Sequence, residues 1–123
     1  MTSLLGSSAV AAPASVQPEV SIRPVATVTG DGATLTVSMV VRCAPTEHMM
    51  EGFANVEQGV IALLSGFRVE CDGRRHLTQA TFSSSDVSGG PFLVGRADVH
   101  AIIFDEAIGT SVAETSRTVL VRR

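Results

Sequence analysis

The chain has no lysine, tryptophan or tyrosine, a single asparagine (Asn55) and only two cysteines, Cys43 and Cys71. Each shortage excludes something. A core without Trp and Tyr holds neither the tryptophan pin nor the tyrosine corner of antibody-type domains. All nine basic residues are Arg, set against 12 acidic ones for a net charge of -3, and they form no block. That distribution offers no basic patch to nucleic acid or to an anionic membrane surface. No apolar run approaches the roughly 20 residues needed to span a bilayer, so no membrane span is expected.

Chemistry-bearing patterns are missing too. There is no C-x-x-C, and His48, His76 and His100 form no H-x-H or H-x3-H pair, so no metal ligands are assigned. There is no G-x-S-x-G turn to lift a serine beside a base, and Ser83-Ser84-Ser85-Asp86 reads as a solvated loop. Asp105-Glu106 reads as a charged strand end, not as an acid–base pair. The expectation is a protein without catalytic residues or cofactor, and so not an enzyme.

What is present is a period of two. In 123 residues with 45% hydrophobic content there is material for one packed domain. From Glu19 onward apolar and polar residues alternate between closely spaced turn residues, most clearly at Leu35, Val37, Met39, Val41 and Cys43. Val20 to Thr29 reads as one strand interrupted at Pro24. A strand is expected over Phe53 to Leu64, then a turn at Ser65-Gly66 and a short strand over Phe67 to Cys71. Asp72-Gly73 reads as a hairpin into His76 to Ser83, followed by a Ser/Gly loop to Gly90. Phe92 to Phe104, with a bulge suggested at Gly95, and Glu114 to Arg122 complete about seven strands. The fold expected is all-β, an immunoglobulin-like Greek-key sandwich over residues 19–123; a small closed barrel would read almost alike.

Cys43 and Cys71 both fall on the apolar side of such runs, which predicts one buried disulfide and with it an oxidising compartment. Residues 1–18 read as a leader. Ala9-Val10-Ala11 has the A-x-A form of a signal-peptide cleavage site after a short apolar stretch without a basic head, as in a truncated secretory signal; a flexible Ala/Ser/Pro-rich arm is the other reading. Export to the cell surface or beyond is expected. The all-Arg basic set suggests a GC-rich bacterial genome.

One loop stands out in composition. Glu47 to Phe53 contains His48, Met49, Met50 and Phe53, and Met and Phe are adaptable apolar contact groups, so these four are the candidate partner-binding residues. The plainer alternative is that a methionine caps the open end of the sandwich. Arg74-Arg75 and Arg122-Arg123 read as solvated ends.

Val41-Arg42-Cys43, Val56-Glu57-Gln58, Cys71-Asp72-Gly73, Gly95 to Val99 and Thr118 to Arg122 together resemble small secreted actinobacterial proteins that have no assigned activity. The resemblance covers residues 19–123 and implies an Ig-like sandwich, with no functional residues to carry over. Sandwich class, size and Ser/Gly/Thr-rich loops are similar to the neocarzinostatin-type antibiotic carriers, which have two disulfides where this chain can form one. The function expected is binding or assembly with a protein partner through loops or an exposed strand edge. The alternative is a small-molecule carrier, for which Phe53, Phe82 and Phe92 would line an open mouth.

Overall fold

Thr34–Arg42 is the strand from which the architecture grows. Leu35, Val37, Met39 and Val41 are fully buried, while Thr34, Thr36, Ser38, Val40 and Arg42 between them are only half-buried. Period-two burial of this kind requires a layer on one face, and each such side chain removed from water contributes about 1.5–3 kcal/mol. A computed structural model of the chain describes residues 17–84 and 90–123. The cleavage site and most of the leader therefore lie outside the described residues, as do residues 85–89 of the Ser/Gly loop.

The described residues form eight strands: β1 Glu19–Ile22, β2 Val25–Thr29, β3 Thr34–Arg42, β4 Met50–Gln58, β5 Ile61–Phe67, β6 Arg75–Ser83, β7 Gly95–Asp105 and β8 Thr110–Arg122. The protein is all-β, with no helix of even one α-turn among these residues. β3 pairs antiparallel with β6 on one edge and with β1 and β2 on the other. β2 then pairs in parallel with the end of β8, and the antiparallel series β8, β7, β4, β5 completes the path. Inward residues from both halves, among them Met39, Phe82, Val56, Val99 and Val121, form one core cluster. Ser65 of β5 donates its hydroxyl to the Thr81 carbonyl of β6 at 2.8 Å, so the two outermost edges are tied together.

The first run breaks at Pro24 as its sequence implies, and the expectations for the later strands and turns shift. Pro24 divides the first run into β1 and β2, because proline has no N–H for a ladder; its carbonyl instead accepts the Leu120 N–H at 2.9 Å. The strand expected over Phe53 to Leu64 is a hairpin: Gly59, with φ of 59°, and Val60 form a two-residue turn between β4 and β5. Glycine at the first turn position suits the type II′ geometry. Ser65-Gly66 consequently lies inside β5 and is no turn, and residues 68 to 71 form no strand. Asp72-Gly73 does turn the chain, with Gly73 at φ of 84°, but it joins β5 to β6, which pair with different neighbours, so it is a crossover and no hairpin. The bulge lies between β7 and β8 at Ile103/Phe104, far from Gly95.

The disulfide joins Cys43 and Cys71. Cys43 is buried, as its alternation implied, whereas Cys71 sits half-buried in the crossover. The bond therefore fastens a loop to the end of β3.

Candidate functional site

Three connections meet at the end of the molecule where β3, β5 and β7 finish: residues 43–49, 68–74 and 106–109. They are stitched to one another. Besides the disulfide, the Gly73 N–H donates to the Cys43 carbonyl at 2.8 Å, and Nε of Arg42 donates to the Gly73 carbonyl at 3.0 Å. On the other side the Glu106 N–H donates to the Met49 carbonyl at 3.1 Å. His48 Nδ1 donates to Oδ2 of Asp105 at 3.0 Å.

Asp105 is the one buried charged residue among those described, with 4% of its surface exposed. A buried carboxylate is tolerated only when its oxygens are bonded. Here Oδ2 accepts the His48 Nδ1–H and Oδ1 accepts the Ala107 N–H at 2.9 Å. The His48 bond, reinforced by the Ala107 and Ile108 backbone, outweighs desolvation and holds the Asp105 carboxyl below the usual aspartate range. One residue on, Glu106 is pushed up by the carboxyl of Glu51, which is hydrogen-bonded to it and of like charge. Met49 and Ile108 stand beside these groups with 65% and 60% of their surface exposed. The result is an apolar lip set among carboxylates on a braced frame.

The four loop residues picked from sequence separate. His48 and Met49 belong to this lip. Met50 opens β4 and packs partly against the core, so one methionine is exposed and the other caps. Phe53 is half-buried on the outer face of β4, level with Gly66 of β5 and Ile102 of β7. Sequence reasoning missed Asp105, Glu106, Glu51 and Ile108. A signal existed for Asp105, since the inward series Ala97, Val99, Ala101, Ile103 continues to it with no change of period.

The histidines take separate partners. His76, near the start of β6, lies between two crossover residues, Glu70 at 3.2 Å from Nδ1 and Asp72 at 2.8 Å from Nε2. These three are the described residues whose donor atoms come within 4.8 Å of one another, as metal ligands would, but they already bond to each other and Glu70 also pairs with Arg68. Asp72 is held below the ordinary aspartate range by the Arg74 N–H and by His76. His100 Nδ1 is 2.6 Å from Ser116 Oγ, and its Nε2 is 3.2 Å from Glu114. That chain of groups lies on the exposed face of two regular strands, without the strained turn that activates a nucleophilic serine.

Phe82 and Phe92, the other aromatics suggested for a ligand mouth, are each 2% exposed and belong to the core. No helix among the described residues is long and apolar enough to cross a membrane. No family model matches the chain, and no curated protein matches it in sequence. Among solved structures it is similar to the Pseudomonas fluorescens alkylpurine DNA glycosylase AlkC bound to DNA containing an abasic site analog. The identity is 12% and the TM-score 0.45, over 86% of this chain and 29% of that one, so this chain spans less than a third of its length.

Proposed function

We propose that this chain is an exported, non-enzymatic, immunoglobulin-like binding protein that presents its stapled loop end to a protein partner. The observation that carries the reading is the joining of three loops around exposed Met49 and Ile108 by the disulfide and the His48–Asp105 bond. Recognition gains when the contacting loops are fixed before the encounter, because less conformational entropy is lost on binding. Methionine and isoleucine supply an apolar centre, and Glu51, Glu106 and His48 a polar rim. The disulfide is consistent with an oxidising compartment, which favours export. The resemblance to small secreted actinobacterial proteins points the same way.

Assembly through a strand edge is a variant of this reading. β8 pairs with β2 only over its last residues, so from Thr110 to Arg117 its outer edge forms no ladder with any described strand, although the Arg117 guanidinium donates to the Ile22 carbonyl of β1 at 2.9 Å. The carrier alternative loses two of its three aromatics to the core.

A photo-crosslinking residue placed at Met49, and separately at Ser38 as a control, tests the proposal in the producing cell. A discrete adduct from position 49 and none from position 38 is expected. Its mass tells a second copy of the chain from another protein. Equal background labelling from both positions would overturn the reading.

A further inference from the structure

The opposite end of the molecule carries a concavity of about 360 Å³ between the β4–β5 turn and the segment leading into β7. Its walls are Val60, Ile61, Pro91, Leu93 and Val94, with Arg96 at the rim. Val60, Leu93 and Val94 leave 86%, 64% and 55% of their surfaces in water. Single exposed apolar residues are ordinary, but three around one hollow mark a contact site.

The hollow is built and held. Nε2 of Gln58 donates to the Leu93 carbonyl at 2.7 Å and to the Arg96 carbonyl at 3.2 Å, while Oε1 accepts the Leu93 N–H at 2.8 Å. The side-chain amide thereby reproduces a rung of β-ladder and fixes the irregular segment to the hairpin. The Phe92 N–H donates to the Gly32 carbonyl at 2.9 Å, and Phe92 itself is anchored in the core. These bonds occupy both the amide nitrogen and the amide oxygen of Gln58. The Arg96 guanidinium has no hydrogen bond or ion pair with any described residue, and it is the charged group of the lining. Asp98, two residues along the strand, is engaged by the Thr118 hydroxyl at 2.7 Å and belongs to a separate polar groove.

We infer that this pocket binds a small apolar carboxylate, with the hydrocarbon against Val60, Leu93 and Val94 and the carboxylate on the Arg96 guanidinium. The volume falls at the low end of small-molecule sites, and guanidinium is the side chain suited to paired bonds with a carboxylate. The same chemistry belongs to a free aliphatic acid and to the C-terminus of a peptide ending in an apolar residue. The site is independent of the loop end proposed above.

The test is a titration of the ¹⁵N-labelled, oxidised full chain with sodium octanoate, 1-octanol, an acetylated Gly-Val-Val-Leu peptide acid and its amide, to about 10 mM. Saturable amide shifts at Gly59, Val60, Leu93, Val94 and Arg96 are expected from the acids, with octanol and the peptide amide binding about tenfold more weakly. The Arg96→Gln variant, exposed and therefore expected to fold, should lose a similar factor for the acids and nothing for octanol. Tighter binding of the peptide acid assigns the ligand to a protein C-terminus, and tighter binding of octanoate to a free acid. No saturable response to either acid, equal binding of octanol, or unchanged affinity in Arg96→Gln would overturn the inference.

Discussion

Nδ1 of His48 lies 3.0 Å from Oδ2 of Asp105, and through that contact the loop leaving β3 is fastened to the turn between β7 and β8. The two residues are 57 positions apart in sequence. The bond satisfies a carboxylate that the core would otherwise have to exclude, and it ties the loop that carries Met49 to the strand end that leads into the Ile108 turn. Its consequences are measurable.

The folded-state pKa of Asp105 is lowered, so the stability it contributes is present above the ordinary aspartate value of 3.8 and is lost as pH falls through the depressed folded value. Asp105→Asn should lower the melting temperature at pH 7, by on the order of 5 °C. It should also flatten the loss of stability on acidification below about pH 4. Thermal melts of both proteins over a pH series check this.

Glu106 has the opposite sign. Its folded pKa is raised above 4.5, so its contribution is full below that value and is lost as pH rises through the folded one. Glu106→Gln should therefore melt higher than wild type at pH 7 and match it near pH 4. Glu51→Gln should behave alike, because either substitution removes the like-charge pair, and the double variant should gain little beyond one of them.

The disulfide closes a loop across a sequence separation of 28, for which the chain-entropy model gives about 3–4 kcal/mol. Reduction, or Cys43→Ser, should lower the melting temperature by roughly 10 °C or more. Free thiols in the protein isolated from its producing cell without reductant would contradict both the bond and the oxidising compartment proposed from it.

Gly52 of β4 lies opposite Phe67 of β5, and a methyl group added at Gly52 would run into the Phe67 ring. Gly52→Ala should cost about 1–3 kcal/mol as an overpacking change. Combining it with Phe67→Leu should cost less than the sum of the two singles, which a double-mutant cycle of denaturant midpoints measures.

Legibility in the sequence followed the asymmetry of the faces. β3 has one apolar and one mostly polar face, and its alternation gave both its extent and its inward residues. β4 and β5 read as one strand because Val60, Ala62 and Leu64 continue the apolar pattern past the turn. Val60 and Leu64 are in fact exposed, so the pattern there does not report burial. Ser65-Gly66 looked like a turn by composition, yet a sheet edge accepts small residues, and Ser65 uses its hydroxyl to close that edge. Asp105 was readable by period and was set aside by residue type, since a charged residue is rarely inward unless bonded. The partner that makes it inward, His48, comes from a distant loop, and no local pattern encodes that pairing.

A preformed recognition surface requires the loop end to be rigid in the free protein. Amide hydrogen exchange of the free, oxidised protein tests it at the Gly73 and Glu106 N–H groups, which donate to the Cys43 and Met49 carbonyls. Slowing of about a hundredfold or more relative to an unprotected amide is expected at both positions, with protection at Glu106 falling in Asp105→Asn. Exchange at unprotected rates in the wild type would mean that the loops move independently, and would contradict a preformed recognition surface.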